Sequence, residues 1–182
     1  MAPADLIERF KAIDWLVLDV DGVLTDGAII VDDHGDESKH FYVRDGAALH
    51  FWLRHGKRAA ILSGRRAKCV DVRAAELKID PVVQGSKDKG ADLRALLAAN
   101  GVDPSRVAFV GDDLADLPAF ALAGLSACPS DAAAEVVEAA HYVAAARGGR
   151  GVVREVVEQI LQAQGAWGGI VAGFRDGMHA RP

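Results

Sequence analysis

Along this chain, short apolar runs that stop at acidic or small residues alternate with segments whose apolar positions return every three or four residues. The first pattern marks strands buried on both faces, the second amphipathic helices. Residues 5–13 place Leu6, Ile7, Phe10 and Ile13 at helical spacing, which predicts a short helix leading into the run LVLDVDGVLTD at residues 16–26. That run meets Asp19, Asp21 and Gly22, a turn signal that closes a strand. The next segment, GAIIVDDHGDESKHFYV, holds two β-rich stretches around Asp32, Asp33, His34, Gly35 and Asp36 and predicts a hairpin. Placed directly after the acidic strand, a hairpin overhangs the strand's end, pairs through its edge with another subunit, or decorates the surface.

From residue 45 the alternation becomes regular. It predicts a helix over 45–55 stopped by Gly56, a strand at 58–62, a helix at 67–78, a strand at 81–84 and a helix at 88–100 stopped by Gly101. A strand at 107–110, a helix at 117–123, a strand at 125–128 and helices at 132–139 and 152–164 follow. Elements in this order make an α/β fold with a doubly wound, mostly parallel sheet and right-handed crossovers. There is no internal repeat, and 182 residues suit one domain. The domain is read as residues 1–164, followed by a tail, 165–182, too rich in glycine to predict a helix. Trp167 and Phe174 in that tail suggest docking on a neighbouring subunit.

Composition changes this picture little but narrows the partners. The formal net charge of -5 argues against nucleic acid or an anionic membrane, which both need a basic face. Cys69 and Cys128 form no CxxC pair and no zinc cluster, and read as small core residues. Asp5 and Glu8 interrupt what would have to be the apolar core of a leader, and no run reaches membrane-spanning length, so the expected location is cytoplasmic.

Chemistry concentrates at the predicted strand ends. In an open α/β sheet the carboxyl ends of the strands open onto the ligand crevice. Asp19 and Asp21 stand at the first such end, where a carboxylate can be a metal ligand, a nucleophile or a proton shuttle. Ser63 follows the second, Lys89 starts a helix, and Asp112 and Asp113 follow the strand at 107–110. Carboxylates converging on one crevice repel each other, by roughly 4 kcal/mol per unit pair at 4 Å in an effective dielectric near 20. A divalent cation is therefore nearly required, and all-oxygen ligation favours Mg²⁺. Asp113 and Asp116 either cap the following helix or join the site, Ser63 either makes a turn or joins it, and Lys87 competes with Lys89.

The ordered set DVDGV, LSGR, GSKDKGAD and GDDLAD resembles the four motifs of the haloacid dehalogenase superfamily of phosphohydrolases, which have a Rossmann-type fold. The resemblance implies metal ligation by Asp19, the backbone carbonyl of Asp21 and Asp112. It also implies that Asp19 attacks phosphorus, that Asp21 serves as acid and then base, and that Ser63 and Lys89 hold the phosphoryl oxygens.

A narrower resemblance covers the chain to about Trp167. DVDGVLTDG, FYVRDGAALHFW, ILSGR, QGSKDKGADL, FVGDDLADLP and ARGGRGVVREVVEQILQAQGAW look like the 3-deoxy-D-manno-octulosonate 8-phosphate phosphatase family, which acts in lipopolysaccharide precursor synthesis. It implies no large cap domain, a homotetramer whose neighbouring chains complete the pocket, and a phospho-sugar acid substrate. On it the substrate contacts fall on Tyr42, Val43, Arg44, Asp45, Gly46, His50, Arg65, Arg73 and Lys89. Guanidinium forks on Arg44, Arg65 and Arg73 suit a carboxylate and a phosphate, although surface solvation also accounts for Arg73. Arg147 and Arg150 in the ARGGRG segment are further candidates for approaching the pocket. Tyr42 stands where a small amide residue is common, and the segment GGIVAGFRDGMHARP is long for the family. Rival readings are a phosphatase for another sugar-acid phosphate such as an acylneuraminate 9-phosphate, a non-catalytic oligomerisation module, and a receiver domain, whose acids come in the reverse order.

Overall fold

The computed structural model describes residues 4–177. Helix α1 (Ala4–Ala12) buries Leu6 and Phe10 and delivers the chain to β1 (Trp15–Leu18), all four residues of which are buried. The hairpin consists of β2 (Ile30–Val31) and β3 (Glu37–Ser38), shorter than the two β-rich stretches suggested. Asp32 closes its turn: the carboxylate accepts from the N–H groups of His34 and Asp36, and Gly35 takes the left-handed backbone the turn requires, at φ +84°. The chain continues through α2 (Val43–Arg54), β4 (Arg58–Ser63), α3 (Lys68–Leu77), β5 (Val82–Gln84), α4 (Lys89–Asn100) and β6 (Val107–Val110). After them come α5 (Leu117–Phe120), β7 (Leu125–Cys128), α6 (Ala134–Ala139), β8 (Tyr142–Val143), α7 (Val152–Ala163) and α8 (Trp167–Arg175).

Six strands form one sheet in the order β5-β4-β1-β6-β7-β8, every neighbouring pair parallel. Strand β1 therefore lies between β4 and β6, with Leu18 in register with Ile61 on one side and Val110 on the other. The chain moves outward from β1 through β4 to β5, then crosses back to β6. That reversal opens the crevice beside the end of β1.

Strand alternation divides the core in two. Leu16, Leu18, Ile61 and Val110 face one layer, covered by α1, α2, α3 and α7, while Trp15, Val17, Leu62 and Phe109 face another, covered by α4, α5 and α6. Helix α7 buries Val152, Val153, Val156, Val157, Ile160 and Leu161, each worth roughly 1.5–3 kcal/mol of apolar transfer.

Two further differences from the sequence pattern have physical causes. Strand β8 has only two residues, too few for a period to register. Residues 167–175 form α8 despite their glycines, because Trp167, Ile170, Val171 and Phe174 share one helical face. Phe51 meets Trp167 and Phe174 edge-on, at 6.1 and 5.5 Å between ring centroids, and Arg154 lies over Trp167. Packing overrides the propensity cost of glycine here. Residues 178–182 of the predicted tail lie outside the described residues.

Helix α7 begins at a glycine N-cap that offers no side-chain acceptor. Asp45 of α2 supplies it from across the layer, accepting from the N–H groups of Arg154 at 2.7 Å and Gly151 at 3.2 Å. Burial pushes the Asp45 carboxyl up to about 6 against the pull of those donors. A carboxyl that holds its proton more tightly folded than unfolded, where the value is near 3.9, adds stability as pH falls through about 6 and none at higher pH. Asp45→Asn cannot ionise. Thermal melts are therefore expected to show the wild-type chain gaining on Asp45→Asn between about pH 8 and about pH 5. Asp45→Ala strands both donors and should cost about 1–3 kcal/mol at pH 8, and more as the pH falls.

Candidate active site

The carboxyl ends of β1, β4 and β6 and the start of α4 converge on a cavity of ≈ 400 Å³ lined by Asp19, Asp21, Ser63, Arg65, Lys89, Asp112 and Asp116, among others. The N–H of Asp19 still joins the sheet, donating to the Val110 carbonyl at 3.0 Å, so its side chain inherits the sheet's rigidity. Lys89 is the first residue of α4, which Asp88 caps by accepting from the N–H of Ala91. That cap turns Lys89 inward, where it is buried, and leaves Lys87 exposed.

The Lys89 ammonium lies 2.8 Å from Asp19 Oδ2 and 2.5 Å from Asp116 Oδ1. The other oxygen of Asp116 accepts from the N–H groups of Asp112 at 2.9 Å and Asp113 at 3.2 Å. Asp116 thus fixes the loop after β6 and the ammonium together, and its relative exposure is 0%. Asp113 is exposed and caps the short turn that follows by accepting from Leu114 N–H.

One carboxylate oxygen each from Asp19, Asp112 and Asp116 lies within 4.8 Å of the others. Burial, and then the charge of Asp19, push the Asp112 carboxyl up to about 8. Asp19 is raised to about 6 by burial, with Lys89 pulling the other way. Asp19 Oδ1 and Asp112 Oδ1 are buried without a hydrogen-bond partner. Orphaned, mutually repelling oxygens of this kind fit a small divalent cation, which reverses the local preference for protonation. Asp116 is already committed to Lys89 and two N–H groups, so the free donors belong to Asp19 and Asp112. The backbone brings these two acids together at Gly22: a Cβ there would lie 1.9 Å from Asp112 Oδ2, and its φ is +84°.

A similar cavity of ≈ 440 Å³ opens at the other end of the strands, near Asp14, Lys57, Arg58 and Arg106. Its charges answer one another: Asp14 pairs with both Lys57 and Arg106. It lacks the orphaned oxygens of the first.

Residues 59–156 match the family model of the haloacid dehalogenase-like hydrolases. The chain is 44% identical over 160 residues to the 3-deoxy-D-manno-octulosonate 8-phosphate phosphatase of Yersinia pestis, covering 88% of this chain and 86% of that protein. Its counterpart in Escherichia coli strain K12 is 43% identical over 162 residues, covering 89% and 86%. The chain belongs to the 3-deoxy-D-manno-octulosonate 8-phosphate phosphatase family of haloacid dehalogenase-like hydrolases. A solved member of that family from Moraxella catarrhalis, in complex with a magnesium ion, a phosphate ion and a KDO molecule, superposes with a TM-score of 0.91 at 38% identity, over 93% of this chain and 98% of that one.

In this hydrolase the four sequence motifs meet in one cavity, and of the nine positions read as substrate contacts Arg65 and Lys89 line it. Tyr42 and Arg44 line a separate cavity with Arg150 and Arg154. Val43 is 75% exposed, Asp45 caps α7, and His50 is exposed on α2. Gly46 lies under the guanidinium of Arg73, whose other contacts are Glu76 and the ring of Phe41. Arg147 pairs with Asp131 and Arg150 with Asp26.

Sequence reasoning passed over Glu37 and Lys39. Both meet residues that line the cavity: Lys39 pairs with Asp21 and Glu37, and Glu37 with Arg65. Their signal was the two-residue spacing in an extended segment, which turns both side chains to one side.

The contrast between the two neighbouring acids is measurable by urea denaturation. Asp116→Ala leaves two N–H groups unsatisfied and strips Lys89 of a buried partner, so a loss of about 3 kcal/mol or more is expected. Asp113→Ala removes one exposed cap and should cost about 1 kcal/mol or less.

Proposed function

We propose that the chain hydrolyses 3-deoxy-D-manno-octulosonate 8-phosphate to the free sugar acid and phosphate, through an aspartyl phosphate on Asp19. One observation carries the reading: a buried carboxylate at the end of the central strand, with one oxygen held by a buried ammonium and the other without a partner. The names of the relatives, and the ligands of the Moraxella catarrhalis protein, support the substrate class.

The steps follow from the residues. An oxygen of Asp19 attacks phosphorus in line with the ester oxygen, the P–O ester bond breaks, and Asp21 gives the departing alkoxide its proton. Water then attacks the phosphoryl group, Asp21 takes up the water's proton, and the Asp19–phosphorus bond breaks to release phosphate. Ser63 and Lys89 hold the phosphoryl oxygens, where positioning and charge neutralisation supply most of the rate. Mg²⁺ would be held by Asp19, Asp112 and the carbonyl of Asp21, and when bound offsets the charge gathered by carboxylates and phosphate.

The substrate-contact positions remote from the cavity belong to the same proposal. Tyr42, Arg44, Arg73 and their neighbours serve the pocket of an adjoining chain in a homotetramer. The exposed hairpin residues Ile29, Ile30 and Val31, which offer apolar surface for assembly, support this. Among the described residues none beyond 164 lines the cavity, in keeping with a catalytic unit over 1–164 and a tail over 165–182. Among the described residues no helix is long and apolar enough to cross a membrane, and the free thiols of Cys69 and Cys128 suit a cytoplasmic setting.

Phosphate release from the 8-phosphate should require Mg²⁺ and cease with EDTA. Asp19→Asn should lower kcat at least about a thousandfold, and unchanged turnover would remove Asp19 as nucleophile. A panel of phospho-sugars that includes an acylneuraminate 9-phosphate tests the substrate. Equal kcat/KM for the two would overturn the narrow assignment.

A further inference from the structure

Lys39 follows an exposed hairpin strand, yet its side chain is only 1% exposed. A lysine has a long, flexible stem and ordinarily keeps its ammonium in water. Here the ammonium is turned inward against Asp21 Oδ1 and, at 2.6 Å, against Glu37 Oε1. The second oxygen of Glu37 accepts from Arg65 at 2.9 Å, and Arg65 Nε lies 3.9 Å from Asp21 Oδ2. Asp21, Lys39, Glu37 and Arg65 thus close a ring of alternating charge that ties the loop after β1 to the hairpin and to the end of β4. Withdrawing an ammonium from water is costly unless it is paired, so the two carboxylates fix where Lys39 sits.

The consequence falls on Asp21. An aspartate on a loop samples several staggered side-chain positions. Asp21 lines the cavity; one of its oxygens is tied to Lys39, and the other has Arg65 at ion-pair range. We infer that Lys39, itself held by Glu37, is a positioning residue for Asp21: it aims the second oxygen at the leaving group of the phosphate ester. The inference rests on the reading of Asp21 as the group that protonates the departing alkoxide. The hairpin thereby acts on the reaction from within its own chain, separately from any role in assembly.

Leaving-group chemistry tests this in the full-length chain with saturating Mg²⁺. A sugar alkoxide cannot depart without a proton, whereas p-nitrophenolate departs unaided. The quantity to compare is kcat/KM, because it ends at departure of the leaving group and excludes the later hydrolysis of the aspartyl phosphate. Lys39→Met should lose at least about tenfold in kcat/KM on the sugar-acid phosphate and less than about threefold on p-nitrophenyl phosphate. Lys39→Arg, which keeps the charge, should recover part of the loss, and Glu37→Gln should shift the ratio in the same direction by less. Equal losses on both substrates would make Lys39 merely structural and overturn the inference, as would an unaffected sugar-acid phosphate. If Lys39→Met melts below the assay temperature, Glu37→Gln and Lys39→Arg carry the same ratio. A wild-type chain inert toward both substrates would overturn the phosphatase reading itself, and this inference with it.

Discussion

The buried ammonium of Lys89 is the contact on which the site depends, because it lets acids gather where they would otherwise repel one another. It stands between Asp19 and Asp116, and neither side of that arrangement is stable alone. Without two carboxylates the ammonium is unpaired in a dry interior, and without the ammonium the acids at the ends of β1 and β6 would separate or take up protons. The single positive charge does not balance the cluster. Asp112 remains strongly perturbed, and the residual negative charge is what a divalent cation and a phosphate together complete.

The parallel sheet provides the rigidity that this cluster needs. Strand β1 is hydrogen-bonded on both sides and buried on both faces, so Asp19 leaves a backbone that has almost no freedom. Lys89 and Asp116 come from separate elements, but each is set by a local cap: Asp88 at the start of α4, and the reciprocal bonds between Asp113 and Asp116 after β6. Precision at the centre thus comes from apolar packing and short-range hydrogen bonds. The hairpin is built differently, with two-residue strands and exposed apolar side chains, and the ion pairs of Lys39 and Glu37 tether it to the catalytic edge.

What could be read in the sequence divides along the range of the interactions. The runs at 16–18, 59–62 and 107–110 are apolar without alternation, the mark of strands covered on both faces, and the strands they mark end at Leu18, Ser63 and Val110. Lys89 could be preferred to Lys87 because the position opens a helix, a local property. The double role of Asp116 could only be left open, since the cap is local but the bond to Lys89 joins positions 27 apart in the chain. Lys39 reaches Asp21 across a hairpin whose fold is not set by propensity, and no short window contains that contact. Helix α8 was hidden for the opposite reason. Its apolar spacing is helical, but its glycines dominate any local reading until Phe51 and Arg154 are placed against it.

The close approach of Gly22 to Asp112 bears on how such a site can be inherited. Any side chain at position 22 would occupy the space of the Asp112 carboxylate and would force an L-residue into left-handed backbone. Trimming Asp112 would relieve the clash but remove a donor from the cluster, and no substitution relieves the backbone. The two acidic loops, about ninety residues apart, are therefore bound into one unit of descent. A change at either one therefore disturbs the other, whichever loop it falls in.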